Sequence, residues 1–192
     1  MVDTDSAEVE RLLLGGDLSC PSCAGVLRRW GHARWRSSRG ELGDVRHRPR
    51  RAICSACGRT HVLLPATWLL RRADGVAVIG AALLAKATGA GHRPIAAMLG
   101  RPPATVRGWL RRFATRAEDI RVVFTRLLHA VDPEADPLLP RGSGFADAVE
   151  ALGRAAAAVV VRLSPGSPWE FASRASAGLL LAPCLQTAAE PW

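Results

Sequence analysis

Four cysteines in two C-x-x-C pairs, Cys20/Cys23 in C-P-S-C and Cys54/Cys57 in C-S-A-C, carry the clearest chemistry in the sequence. Paired thiols at this spacing bring four sulfurs around one ion, and tetrahedral Zn²⁺ is the usual occupant. With all four positions taken by cysteine, none is left for water or substrate, so the expected role is a brace and not a reaction centre. His61 is an alternative ligand in place of one cysteine. The fifth cysteine, Cys184 in L-A-P-C-L, reads as a small core residue.

Arginine is the second chemical feature. Of 26 basic residues only Lys86 is lysine. Guanidinium forks suit phosphate and guanine, although a GC-rich coding sequence would produce the same bias. The distribution is more telling than the type. Residues 1–23 sum to −4, 24–72 to +10, 73–130 to +6 and 131–192 to −3, which leaves a basic middle between acidic ends. Such a block is the footprint of a polyanion partner. Nine arginines lie between Arg28 and Arg51, with Trp30 and Trp35 among them and only Glu41 and Asp44 to oppose them.

The elements that position these groups follow from turn residues and periodicity. Asp5 and Glu8 have capping-box spacing ahead of Val9, Leu12 and Leu13, and Gly15-Gly16 ends that short helix. Val26–Arg36 and Val45–Ile53 read as two strands of a hairpin, and Thr60–Leu64 as a third strand. On the second arm Arg46, Arg48 and Arg50 alternate, so the two-residue period places them on one face as phosphate contacts. Pro49 lacks an N–H and points to an edge strand. Gly58 stands where a knuckle needs a positive φ.

Beyond the ribbon, Asp74 is expected to cap a helix carrying Val76, Ile79, Leu83 and Ala87. A short helix begins near Pro94 and stops at Gly100, and a third spans about Ala104–Thr115. Helix, short helix, glycine turn and helix is the layout of a helix-turn-helix. With Val106, Trp109, Leu110 and Phe113 facing the core, Ala104, Thr105, Arg107, Gly108, Arg111 and Arg112 are left to face DNA. Arg107 and Arg111, four residues apart, can reach guanine or phosphate. Thr105 and Arg101 suit phosphates near the helix start. Gly108 is costly inside a helix, and close approach of DNA to the backbone would explain it. Three further helical stretches follow: Ala114–Ala130, Phe145–Leu163 and Trp169–Leu181.

No catalytic set is evident. Asp119, Asp132, Asp136, Glu150 and Glu170 lack the strand context of a two-metal nuclease, and there is no phosphate loop or Ser/His/Asp set. Apolar residues make up 48 % of the chain, so composition favours a folded protein, and no apolar run is long enough to span a bilayer. Metal-binding thiols and the lack of a signal peptide point to the cytoplasm, with the nucleoid as the site of a DNA binder.

R-R-A-I-C-S-A-C-G-R-T at Arg50–Thr60 resembles the second knuckle of the zinc-ribbon heads of insertion-sequence transposases. Arg93–Phe113, R-P-I-A-A-M-L-G-R-P-P-A-T-V-R-G-W-L-R-R-F, resembles the helix-turn-helix of the same proteins. Together with P-W-E-F-A-S near the end, the combination is similar to a family of small bacterial proteins associated with transposable elements. The resemblance implies binding to an element's terminal repeats. The chain departs from those transposases in having only helices after Phe113, which implies that any catalysis comes from a separately encoded transposase or recombinase.

The expected architecture is α+β and mostly α: an N-terminal helix at 1–18, a Cys₄ zinc ribbon at 19–72, a helix-turn-helix at 73–130 and a helical region at 131–192. The expected protein is a zinc-stabilised, sequence-specific binder of double-stranded DNA, as monomer or homodimer, and not an enzyme. The alternative is an adaptor or transcription regulator whose C-terminal helices dock a recombinase or a polymerase.

Overall fold

The computed structural model describes Val2, residues 6–162 and residues 167–182. Asp5 and Cys184, singled out above, lie outside the described residues. The fold is α+β: a small strand region follows one short helix and precedes a larger helical part.

Helix α1 (Ser6–Gly15) buries Val9 and Leu13 and ends where Gly16 takes φ +77°. Five strands follow: β1 (Leu27–His32), β2 (Arg36–Arg39), β3 (Asp44–His47), β4 (Arg50–Cys54) and β5 (Thr60–Leu63). They form two antiparallel ladders, a three-stranded sheet in the order β1-β4-β5 and a separate β2-β3 hairpin. In the sheet Leu27 pairs with Cys54, Arg29 with Ala52, and Ala52 in turn with His61. The inner face therefore carries Leu27, Ala52 and Cys54, which pack with Val2, Val9, Leu13, Cys20 and Leu63 into a first core.

The expected pair of continuous arms is corrected here. Each arm breaks, because Gly31 adopts φ +77° at an irregularity in β1, and Pro49 has no N–H to extend β4. Across the break, Ala33 N–H donates to Pro49 O at 2.8 Å. Arg46 consequently sits in β3, Arg50 in β4 and Arg48 in the gap, so the three do not form a row on one strand. Nor does Pro49 mark an edge strand, since β4 is the central strand of its sheet.

The helical part comprises α2 (Val76–Ala87), α3 (His92–Leu99), α4 (Pro103–Ala114), α5 (Ala117–Val131), α6 (Gly144–Arg162) and α7 (Pro168–Ala175). One continuous core runs through all six, from Leu69 to Leu181, with Phe113, Phe124, Ile79, Leu83 and Leu152 fully buried. Phe113 meets Phe145 of α6 at 4.8 Å between ring centroids, and Phe124 meets Phe171 of α7 edge-on at 5.9 Å. Helix α7 returns to α2, where the Trp169 indole lies over Gly80. A Cβ built at Gly80 would fall 2.2 Å from the indole ring atoms, so only glycine fits. Arg116, almost fully buried, donates to the carbonyls of Leu179 and Ala182 and ties the chain beyond α7 to the α4–α5 junction.

The expected cap at Asp74 is also corrected. The N-cap of α2 is Gly75, and it makes no side-chain cap. The Asp74 carboxylate accepts instead from Arg39 of β2 at 2.8 Å and from Arg101 at 2.7 Å. Backbone bonds reinforce this junction: Arg39 N–H donates to Ala73 O, and Gly75 N–H donates to Arg39 O. The β2–β3 hairpin is thereby held against the turn between α3 and α4.

Candidate nucleic-acid interface and metal centre

The two knuckles bring Cys20, Cys23, Cys54 and Cys57 together, with all four sulfurs within 4.8 Å of one another. Cys20 and Cys57 Sγ are 3.8 Å apart, and Cys23 and Cys54 Sγ 3.5 Å. A tetrahedron with metal–sulfur bonds of about 2.3 Å has edges of about 3.8 Å, so the set fits one tetrahedral ion. The backbone favours thiolates at Cys20 and Cys54. At Cys23 the Gly25 N–H acts the same way, but the Cys54 and Cys57 sulfurs outweigh it and push that thiol up. Ser22 N–H points at Cys20 Sγ at 3.4 Å, and the N–H groups of Ala56 and Cys57 point at Cys54 Sγ at 3.4 and 3.5 Å. The Cys57 N–H, followed by that of Ala56, holds the Cys54 thiol down to about 6 against the opposing effect of burial. The Ser22 N–H lowers Cys20 in the same way.

Local backbone explains why the knuckles close. Gly58 and Ala24 both take positive φ, +68° and +57°, at matching places after each pair. Gly25 has no room for a side chain, since a Cβ there would meet Ala56 Cβ at 2.7 Å and Cys54 Sγ at 3.0 Å. His61 is next to the set, not in it: its Nε2 lies 3.4 Å from Cys20 Sγ, within reach of a hydrogen bond to the sulfur. That distance suits a partner that orients a ligand.

On the helical side, α3 ends at Gly100 with φ +61°, and α4 starts with Pro103 in its first turn. Val106, Trp109, Leu110 and Phe113 are buried, as the 3.6-residue period requires. The opposite face presents Ala104, Arg107, Arg111 and Arg112 to solvent, with Thr105 and Gly108 half-buried. Nothing among the described residues demands glycine at 108. A Cβ there would meet only the end of the flexible Arg112 side chain, whose Nη1 donates to Gly108 O at 3.1 Å. An open groove of roughly 360 Å³ runs beside the helix, lined by Lys86, His92, Arg107 and Arg111 over a floor of Leu110 and Phe145.

The remaining arginines singled out in the sequence divide into two groups. Arg46 is exposed, and its guanidinium lies 5.3 Å from the ring centroid of the equally exposed Trp35. Arg48 is exposed too, with a single long bond to Ala33 O at 3.4 Å. Arg50 and Arg101 are engaged inside the protein. Arg50 pairs with Glu10 of α1 and keeps 13 % of its side chain exposed. Arg101, at 17 %, binds Asp74 and also donates to Leu99 O and to Gly40 O of the hairpin. Sequence reasoning missed this Arg39–Asp74–Arg101 junction. An aspartate ahead of an apolar helical run looks the same whether it caps the helix or binds distant arginines.

No helix among the described residues is long and apolar enough to cross a membrane. Among the described residues, the four cysteines are the one grouping of three or more potential metal ligands. Comparison with curated proteins and with solved structures gives no significant match. Residues 71–121, which span α2, α3, α4 and the start of α5, match the family model of a homeodomain-like domain. The α2–α4 unit is thus similar to a homeodomain-like domain and has the layout of a helix-turn-helix, which supports DNA binding.

Proposed function

We propose that the protein binds double-stranded DNA sequence-specifically, with α4 in the major groove and a zinc-braced ribbon beside it. The observation that carries this is the exposed Arg107/Arg111 face of α4 within a homeodomain-like unit. In that arrangement the last helix of the unit enters the major groove and meets base edges. Arg107 and Arg111 read bases, and Gly108 lets the duplex approach the helix backbone. Thr105, Arg112, Arg46 and Arg48 hold phosphates. Arg50 and Arg101, engaged with Glu10 and Asp74, belong to the frame that holds these groups in place.

Zn²⁺ is the ion we assign to the four cysteines, because soft thiolates in a closed tetrahedral set favour it. It stabilises a small, arginine-rich ribbon and has no reactive role. We divide the chain into an N-terminal helix at 1–18, the ribbon at 19–72, the reading unit at 73–130 and a helical region at 131–192, the last two sharing one core. The resemblance of Arg50–Thr60 and Arg93–Phe113 to transposase heads supports a role at the ends of a transposable element, as a terminal-repeat binder or regulator. Strand cleavage would then fall to a separately encoded recombinase.

Selection of bound sequences from a random duplex pool, with a salt titration alongside, tests the proposal. The expected result is a defined motif whose affinity falls steeply with salt. Arg107→Ala is expected to relax preference at one position, costing about 1–3 kcal/mol on the selected site, while Arg48→Ala weakens all duplexes alike. Equal loss on selected and random DNA for Arg107→Ala would sink the assignment of roles.

A further inference from the structure

The outer face of the β1-β4-β5 sheet has a composition that neither the metal centre nor α4 explains. Pairing puts Arg28 of β1 beside Ile53 of β4 and Thr60 of β5 on the face opposite Leu27, with Arg51 and Val62 on the same face. Alternation from Arg28 carries Trp30 to it just before the irregularity at Gly31. Helix α1 packs on the other side, where Val9 and Leu13 join the first core and Glu10 pairs with Arg29. Trp30 is 52 % exposed and Val62 40 % exposed, so apolar surface on the outer face stands in water. A one-sided antiparallel sheet ordinarily turns polar residues to solvent, and a tryptophan there is out of pattern.

The charged residues on these strands are all arginine or histidine. Arg28 is exposed, and Arg51 makes one bond, donating to Thr60 Oγ1 at 3.3 Å. No acidic residue lies between Ala24 and Gly40 or between Val45 and Ala73. Glu10, which could have neutralised the sheet, is engaged on the inner side by Arg29 and Arg50. An exposed aromatic ring on a strand that also carries Arg28, in a sheet whose central strand carries Arg51, has the chemistry of a stacking platform for unpaired bases whose phosphates are held by arginine.

We propose that this face binds single-stranded DNA, stacking an unpaired base on Trp30 while Arg28 and Arg51 hold the flanking phosphates. Bases in a duplex already stack on each other and show only their edges, so the ring of Trp30 has no partner on intact double-stranded DNA. The site is therefore separate from the α4 face, and either can fail without the other. A protein carrying both would hold a junction or a frayed end: duplex on α4, unpaired strand on the ribbon.

The test uses the full zinc-loaded chain and fluorescence anisotropy with two probes, an oligothymidylate of about 12 nucleotides and an abasic oligonucleotide of equal length and charge. Wild-type protein is expected to bind oligothymidylate at least about fivefold more tightly than the abasic strand, the low end of what one stacked base contributes. Trp30→Ala is expected to remove that difference, Trp30→Phe to keep part of it, and both to leave affinity for the selected duplex unchanged. Arg107→Ala should do the reverse. If Trp30→Ala fails to retain metal, quenching of tryptophan emission by oligothymidylate but not by the abasic strand decides the matter in the wild type. Equal binding of the two strands, or full oligothymidylate binding by folded Trp30→Ala, overturns the proposal.

Discussion

At the scale of single residues, Asp74 shows what pairing can and cannot be read from a sequence. Its carboxylate is almost fully buried and binds two guanidinium groups, one from β2 and one from the turn before α4. Neither partner is near it in sequence, and long-range pairing of this kind leaves no periodic trace. The cysteines were legible for the opposite reason, because each knuckle is local and its spacing alone fixes the geometry. Asp74→Asn would leave Arg101 buried beside a neutral group. The expected loss is about 2–3 kcal/mol in urea denaturation, less than for a fully buried pair because Arg39 is partly in water. The thiols make a second prediction. Cys54 sits well below the ordinary thiol range, at about 6. The stability it contributes as a thiolate is therefore complete above the usual thiol pKa and is lost as pH falls through about 6. A metal held by the four sulfurs should be released at lower pH than that, because protons must displace it from the ligands. A zinc indicator followed from pH 8 down to about 3 is expected to record the release, and metal retained at the acid end would contradict it.

At the scale of elements, the helices were legible and the ribbon only in outline. The periodic burial of Val106, Trp109, Leu110 and Phe113 marked α4 to within one residue at each end. Gly100 stopped α3 as a left-handed cap should. The strands were harder, because arginine-rich arms have little hydrophobic alternation to pin their register. Gly31 and Pro49, small local breakers, divided what looked like two long arms into two ladders. Gly108 offers a test at this scale. With only a flexible arginine end near its missing Cβ, Gly108→Ala should raise thermal stability by up to about 1 kcal/mol through helix propensity alone. If duplex DNA approaches the helix backbone there, the same substitution should weaken binding to the selected site. Higher stability with unchanged affinity would remove Gly108 from the interface.

At the scale of the whole molecule, the sequence suggested four consecutive segments, whereas burial is organised in two cores. Val2, Val9, Leu13 and the sheet form the smaller one. The larger joins α2–α5 to α6 and α7, so these last two helices pack into the same core as α4. That sharing was hidden because alanine-rich helices such as α6 carry small side chains that fit many partners. The contact of Trp169 with Gly80 is the most sensitive point of the shared core. Gly80→Ala would drive a methyl group into the indole, and a loss of about 1–3 kcal/mol is expected from overpacking. Paired with Trp169→Leu, which opens space, the loss should shrink, and a double-mutant cycle measures that coupling.

The return of α7 to α2 also sets an order in time. The ribbon core closes at Leu63, so the emerging chain can bring the four cysteines together before the helical part is made. The core behind α4 closes only with Trp169, Leu180 and Leu181. At ordinary synthesis rates this leaves an interval of about a few seconds in which α4 has left the ribosome without the packing that holds it. A nascent chain that has exposed α4 but not yet Leu181 therefore has its ribbon core closed while the core behind α4 is still open.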